Sequence, residues 1–96
     1  MKLVEFDKRK SKLNFQKHGI LLEDARFINW KSAVNLPDDR FSYDGEVRFL
    51  TYGFINARLY ALAWTYRGNI VRAISLRRAN KREIKKYETI RNTVTS

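Results

Sequence analysis

The chain has 96 residues, 44% of them hydrophobic, so residues 1–96 form one folding domain with a single modest core rather than a disordered basic tail. It has no cysteine, one histidine and no clustered carboxylates, which argues against disulfides, thiolate chemistry and a bound metal, and no cofactor is expected. The net charge of +10 sits at the ends: residues 1–19 hold six basic and two acidic side chains, 20–57 hold four and six, and 58–96 hold ten and two, a field that attracts nucleic acid or a strongly acidic protein.

In chain order, Asp7 is the expected N-cap of a helix over residues 8–18, with Gly19 as a left-handed stop. Leu13 and Phe15 are its only sizeable apolar residues, so it is expected to pack on a narrow seam. Residues 21–29 read as a second short helix with Leu22, Ala25 and Ile28 inward. A short strand over 33–36 precedes a loop marked by Pro37, Asp38-Asp39 and Asp44-Gly45. Strands over 47–55, 59–66 and 70–77 follow, joined at Asn56-Ala57 and Arg67-Gly68-Asn69 into an antiparallel meander. Asn80 then caps a final helix with Glu83 at the capping-box position, and Ile84, Tyr87, Ile90 and Val94 form its apolar stripe. The predicted class is α+β: two N-terminal helices, a four-stranded, mainly antiparallel sheet and a C-terminal helix. No apolar run has the length of a membrane span and the N-terminus lacks a signal-peptide core, so the cytoplasm is the expected compartment and no membrane the expected partner.

Residues 72–88 concentrate the chemistry, with seven Lys/Arg against two acids. Strict alternation on the last strand puts Ile70, Arg72, Ile74 and Leu76 on one face and Val71, Ala73, Ser75 and Arg77 on the other, so Arg72 and Arg77 share a site only through a bulge or an edge position. Beyond Arg77 come Arg78, Lys81, Arg82, Lys85 and Lys86. Lys81 stacks four residues from Lys85, as does Arg82 from Lys86. Such repulsion is what a stability-only helix avoids, so the patch reads as a binding surface. Tyr52, Tyr60, Trp64 and Tyr66 lie in strands; base stacking is one use for them, and core packing is the favoured reading of Trp64. His18, at a helix C-terminus where the dipole favours its protonated form, can donate a proton to a departing oxygen or cap the last carbonyls. Glu46 and Arg48 flank Val47 and so share a face, where an ordinary ion pair is the simplest outcome.

Four motifs then appear in order: Asn14 before Lys17-His18-Gly19, Glu46-x-Arg48-Phe49, Arg72-x-Ile74-Ser75-x-Arg77-Arg78-Ala79, and Lys81-Arg82-Glu83-x-x-x-Tyr87. Together they resemble the BrnT-type toxins of type II toxin–antitoxin systems, from about Glu5 to Glu88. Two positions depart from the family pattern: Leu76, where a small residue is usual beside the presumed site, and Asn80, which still caps a helix. The resemblance implies a RelE-like ribonuclease fold and an RNA-cleaving toxin that inhibits translation. It also implies neutralisation by a BrnA-type antitoxin with a ribbon-helix-helix region, promoter DNA being bound only through that complex. Cleavage without metal uses the RNA's own 2′-hydroxyl and leaves a 2′,3′-cyclic phosphate. The protein must align that hydroxyl, stabilise a pentavalent phosphorane and move two protons. Arg77 and Arg48, with Arg72 behind them, suit the middle task because a guanidinium binds phosphate oxygens in pairs. His18, Glu46 and Tyr87 are the candidate proton carriers or orienters. Arg78, Lys81, Arg82 and Lys85 are the candidates to hold flanking phosphates. Two other readings use the same patch: a non-catalytic RNA- or ribosome-binding module, and an antitoxin-binding protein that has lost hydrolysis.

Overall fold

A computed structural model describes residues 2–38 and 46–95, with side chains through Thr93. Asp39, Asp44, Gly45 and the side chain of Val94, all named above, lie outside the described residues. The element order is β1 (Val4–Glu5), α1 (Lys8–His18), a 3-10 helix (Leu22–Phe27), β2 (Val34–Pro37), β3 (Arg48–Ile55), β4 (Arg58–Arg67), β5 (Ile70–Arg78) and α2 (Lys81–Thr95). The α+β class holds, with corrections of detail. Among the described residues the sheet has five strands, not four, in the order β1-β5-β4-β3-β2, and β1 runs parallel to β5. Two residues carry too little alternation to be read as a strand beforehand. The expected second α-helix is a 3-10 helix, although Leu22, Ala25 and Ile28 are buried as expected.

The third correction concerns α1. Asp7 caps it by accepting from the Lys10 amide, and Gly19 closes it at φ 74°. Leu13 and Phe15, however, are exposed, and the helix docks through buried Ser11 and Asn14. The Asn14 side chain donates to the Leu76 carbonyl at 2.8 Å and accepts from the Leu76 amide at 3.1 Å. It thereby completes the β5 edge where the short β1 has ended.

Cross-strand partners share a face, so register assigns each side chain. One face carries Leu62, Trp64, Val71, Ala73 and Leu76, packed on Leu22, Ala25 and Ile28. Trp64 is core: it stacks on Phe49 at 4.7 Å between centroids, and its Nε1 donates to Thr51 Oγ1 at 2.7 Å. Leu76 is fully buried there, on the face turned away from the basic patch, so its bulk does not narrow that surface as its departure from the family pattern suggested. The opposite face carries Tyr52, Leu59 and Ala61, covered at one end by α2 through Tyr87 and partly buried Ile90. The buried line of α2 is Glu83 and Tyr87; Ile84, expected in the stripe, is 39% exposed.

Ala63 pairs with Ser75 and Trp64 with Ala73, leaving Ile74 as an extra residue on β5. This bulge shifts the alternation by one. Arg72, opposite Thr65, and Arg77, opposite Ala61, therefore lie on the same face, against the strict-alternation expectation.

Candidate functional site

The half of that face not covered by α2 holds a hollow of about 210 Å3 lined by Asp38, Arg48, Leu50, Ala61, Ala63, Ile74, Ser75 and Arg77. Its floor is made of small side chains from β4 and β5, and guanidinium groups stand on its β3 and β5 sides. Asp38 and Leu50 also line a larger groove of about 640 Å3 toward α2, together with Leu36, Pro37, Tyr52, Glu83 and Lys86. The two concavities thus meet along shared residues.

Each of the three candidate arginines has a carboxylate. Arg48 Nε donates to Glu46 at 3.1 Å, a single bond with the Glu46 side chain 43% exposed. This is the same-face ion pair expected from spacing. Arg72 pairs with Glu5 of β1, its register partner, and does not line the hollow. Arg77 differs in kind: Nη1 donates to Glu83 Oε1 at 2.7 Å and Nη2 to Oε2 at 2.9 Å, a bidentate pair.

Glu83 was legible only as a helix cap, and that part holds. The Asn80 amide donates to its Oε1 at 3.0 Å, and the Glu83 amide donates to Asn80 Oδ1 at 2.8 Å. Tyr52 adds a hydroxyl donor to Oε2 at 3.3 Å. Burial pushes the Glu83 carboxyl pKa up. The Arg77 hydrogen bonds, the Asn80 amide, the Arg77 charge and the Tyr52 hydroxyl outweigh that and hold it below its usual value. A six-residue step from a strand-end arginine to an N3 glutamate was the available signal for this pair. It needed the turn geometry to be recognised.

His18 ends α1, which Asn14 ties to β5. Burial lowers its pKa below the usual 6.5, and the charges of Lys17 and Arg77 lower it further. The dipole's preference for imidazolium is therefore overruled, and the neutral ring gains at neutral pH. Tyr87 is buried, and its hydroxyl donates to the Ser32 carbonyl at 2.9 Å while its ring meets Phe54 edge-on at 5.6 Å. It does not line the hollow. Arg78, Lys81, Arg82 and Lys85 are all exposed on the β5 exit and the start of α2. Lys86, outside the expected set, lines the groove.

These observations define a basic α+β domain that presents guanidinium groups over a floor of small residues on one half of a sheet face. Residues 6–83 match the family described as ribonuclease toxin, BrnT, of type II toxin-antitoxin systems, and the chain belongs to that family. Membership makes it a ribonuclease toxin whose system supplies an antitoxin partner and whose substrate is RNA. A search of curated proteins found no match.

Proposed function

We propose that the protein is an endoribonuclease that works without a metal ion, cutting RNA by attack of its own 2′-hydroxyl and so inhibiting translation in the cytoplasm until a BrnA-type antitoxin with a ribbon-helix-helix region neutralises it. The observation that carries the reading is the hollow shared by Arg48 and Arg77. Two guanidinium groups around one space, which Asp38 also lines, supply donors and positive charge for a phosphorane. Ala61, Ala63 and Ser75 leave room for a backbone phosphate to approach the sheet. The adjoining groove, with Lys86 along it, continues the path for neighbouring nucleotides, and Arg78, Lys81, Arg82 and Lys85 extend the positive rim.

His18 does not line the hollow; its lowered pKa is what favours it as a base for the 2′-hydroxyl proton over an acid for the departing 5′-oxygen. Glu46 orients Arg48 in this scheme. Arg72, tied to Glu5 outside the hollow, takes no direct part, and Tyr87 steadies α2 against the Ser32 carbonyl.

The test is cleavage of RNA by purified protein in chelator, with analysis of the new 3′ ends. A 2′,3′-cyclic phosphate is expected. Arg48→Ala and Arg77→Gln should each lower the rate by about 100-fold or more while the circular dichroism spectrum is retained. Glutamine is chosen because, although it too removes the charge, it keeps an amide donor for the Glu83 carboxylate that alanine lacks. Variants that only weaken RNA binding, increasingly little as salt rises, would point instead to a non-catalytic RNA-binding module. An inactive wild type that binds antitoxin tightly would mean that hydrolysis has been lost.

A further inference from the structure

We propose that Glu83 is a positioning residue: its carboxylate, seated by the Tyr52 hydroxyl and the Asn80 amide, aims the Arg77 guanidinium into the hollow where the phosphorane oxygens come to lie. The inference rests on the ribonuclease reading and goes beyond it, because Glu83 touches no reacting atom in that scheme.

A capping box needs one carboxylate oxygen, accepting from the N-cap amide. At Glu83 both oxygens are engaged, Oε1 by Asn80 and Arg77, Oε2 by Arg77 and Tyr52. The carboxylate therefore joins the end of β5, the first turn of α2 and the middle of β3. Its side chain is 11% exposed, against 43% for Glu46 and 36% for Glu5 in the other two pairs. An arginine at an open strand end has rotamer entropy to lose when it engages a ligand. The bidentate clamp removes that freedom before RNA arrives. It engages two of the five donors of the guanidinium, on the two terminal nitrogens, and Nη1 also donates to the Arg78 carbonyl at 3.3 Å.

A carboxylate beside a phosphate site also repels the substrate. That liability separates this role from a merely stabilising one, because orientation and affinity should respond in opposite directions when the charge is removed. Glu83→Gln keeps the cap, since the glutamine oxygen in the Oε1 position still accepts from the Asn80 amide, while its nitrogen in the Oε2 position donates to the Tyr52 hydroxyl instead of accepting from it. Steady-state cleavage of an RNA oligonucleotide, measured well below the melting temperature, should show kcat reduced about 10- to 100-fold with KM unchanged or lower. Should Glu83→Gln fail to fold, Tyr52→Phe removes one bond to Oε2 without changing charge or cap. It should lower kcat several-fold with KM unchanged. A folded variant with wild-type kcat, a higher kcat, or a loss appearing wholly as raised KM would overturn the proposal. If the wild-type protein cleaves no RNA, the parent reading fails and this one with it; a cleaving wild type beside an unaffected variant defeats this one alone.

Discussion

Asn14 does with one amide what a neighbouring strand does with its backbone. It is buried, it bonds both the amide and the carbonyl of Leu76, and it also donates to the Ile20 carbonyl at 2.7 Å. Asn14→Ala leaves these backbone groups without their partner, the two of Leu76 in a buried setting. The expected loss is about 2–4 kcal/mol, read from the urea midpoint at unchanged m-value. Asn14→Leu, close in volume but without donors, should not recover it. Glu83 sets a second expectation, on pH. Its folded pKa is depressed, so its contribution is fully present above its unfolded value near 4.5 and is lost as pH falls through the lower folded value. The melting temperature of the wild type should therefore fall more steeply below about pH 4.5 than that of Glu83→Gln, which has no proton to take up at this position. Parallel curves would mean that the Arg77 clamp adds no stability.

At the scale of elements, sequence patterns found what apolar periodicity and capping chemistry encode, and missed what depends on polar docking or on irregular pairing. The meander was legible because β3, β4 and β5 are runs of eight to ten residues rich in β-branched, aromatic and other apolar side chains, set between turn formers. The Asp7 and Asn80 caps were legible because a short oxygen-bearing side chain at a helix start has few other uses. The docking of α1 was not, since Ser11 and Asn14 look like solvent-facing residues while Leu13 and Phe15 look like a seam. Nor was the Ile74 bulge, which leaves composition untouched and yet decides on which face Arg77 stands. The candidate site followed the same division: the residue types at Arg48 and Arg77 were readable, but their shared hollow and the Glu83 clamp needed the register. Close packing between elements was equally hidden at Gly53. A Cβ there would lie 2.5 Å from Ile28 Cγ2, in the contact between β3 and the segment after the 3-10 helix. Ile28 is buried and its branched side chain is stiff at χ1, so it can give way little. Gly53→Ala should destabilise by about 1–3 kcal/mol, measured by urea denaturation, and Ile28→Val in the same chain should recover part of that loss.

For the whole molecule, the placement of charge separates binding from stability. The three candidate arginines of the sheet are matched by carboxylates, so the long-range field owes much to the exposed cations at the end of β5 and the start of α2. Lys81 and Arg82 open α2, where the helix dipole disfavours cations, and Lys85 and Lys86 repeat the charge one turn later. Folding alone gains nothing from this arrangement; a polyanion crossing the hollow does. Lys81→Gln with Lys85→Gln should therefore move two properties in opposite directions. Thermal stability should rise by about 0.5 kcal/mol as the dipole conflict and the i,i+4 repulsion are relieved. RNA affinity should fall, and the slope of log K against log salt should become shallower by about 0.7 for each phosphate contact removed, about 1.4 for the pair. Fluorescence anisotropy with a short RNA across a salt series measures both affinity and slope. An unchanged slope together with increased stability would show that these lysines repel one another on a surface the RNA never reaches, confining substrate contact to the sheet hollow and its groove.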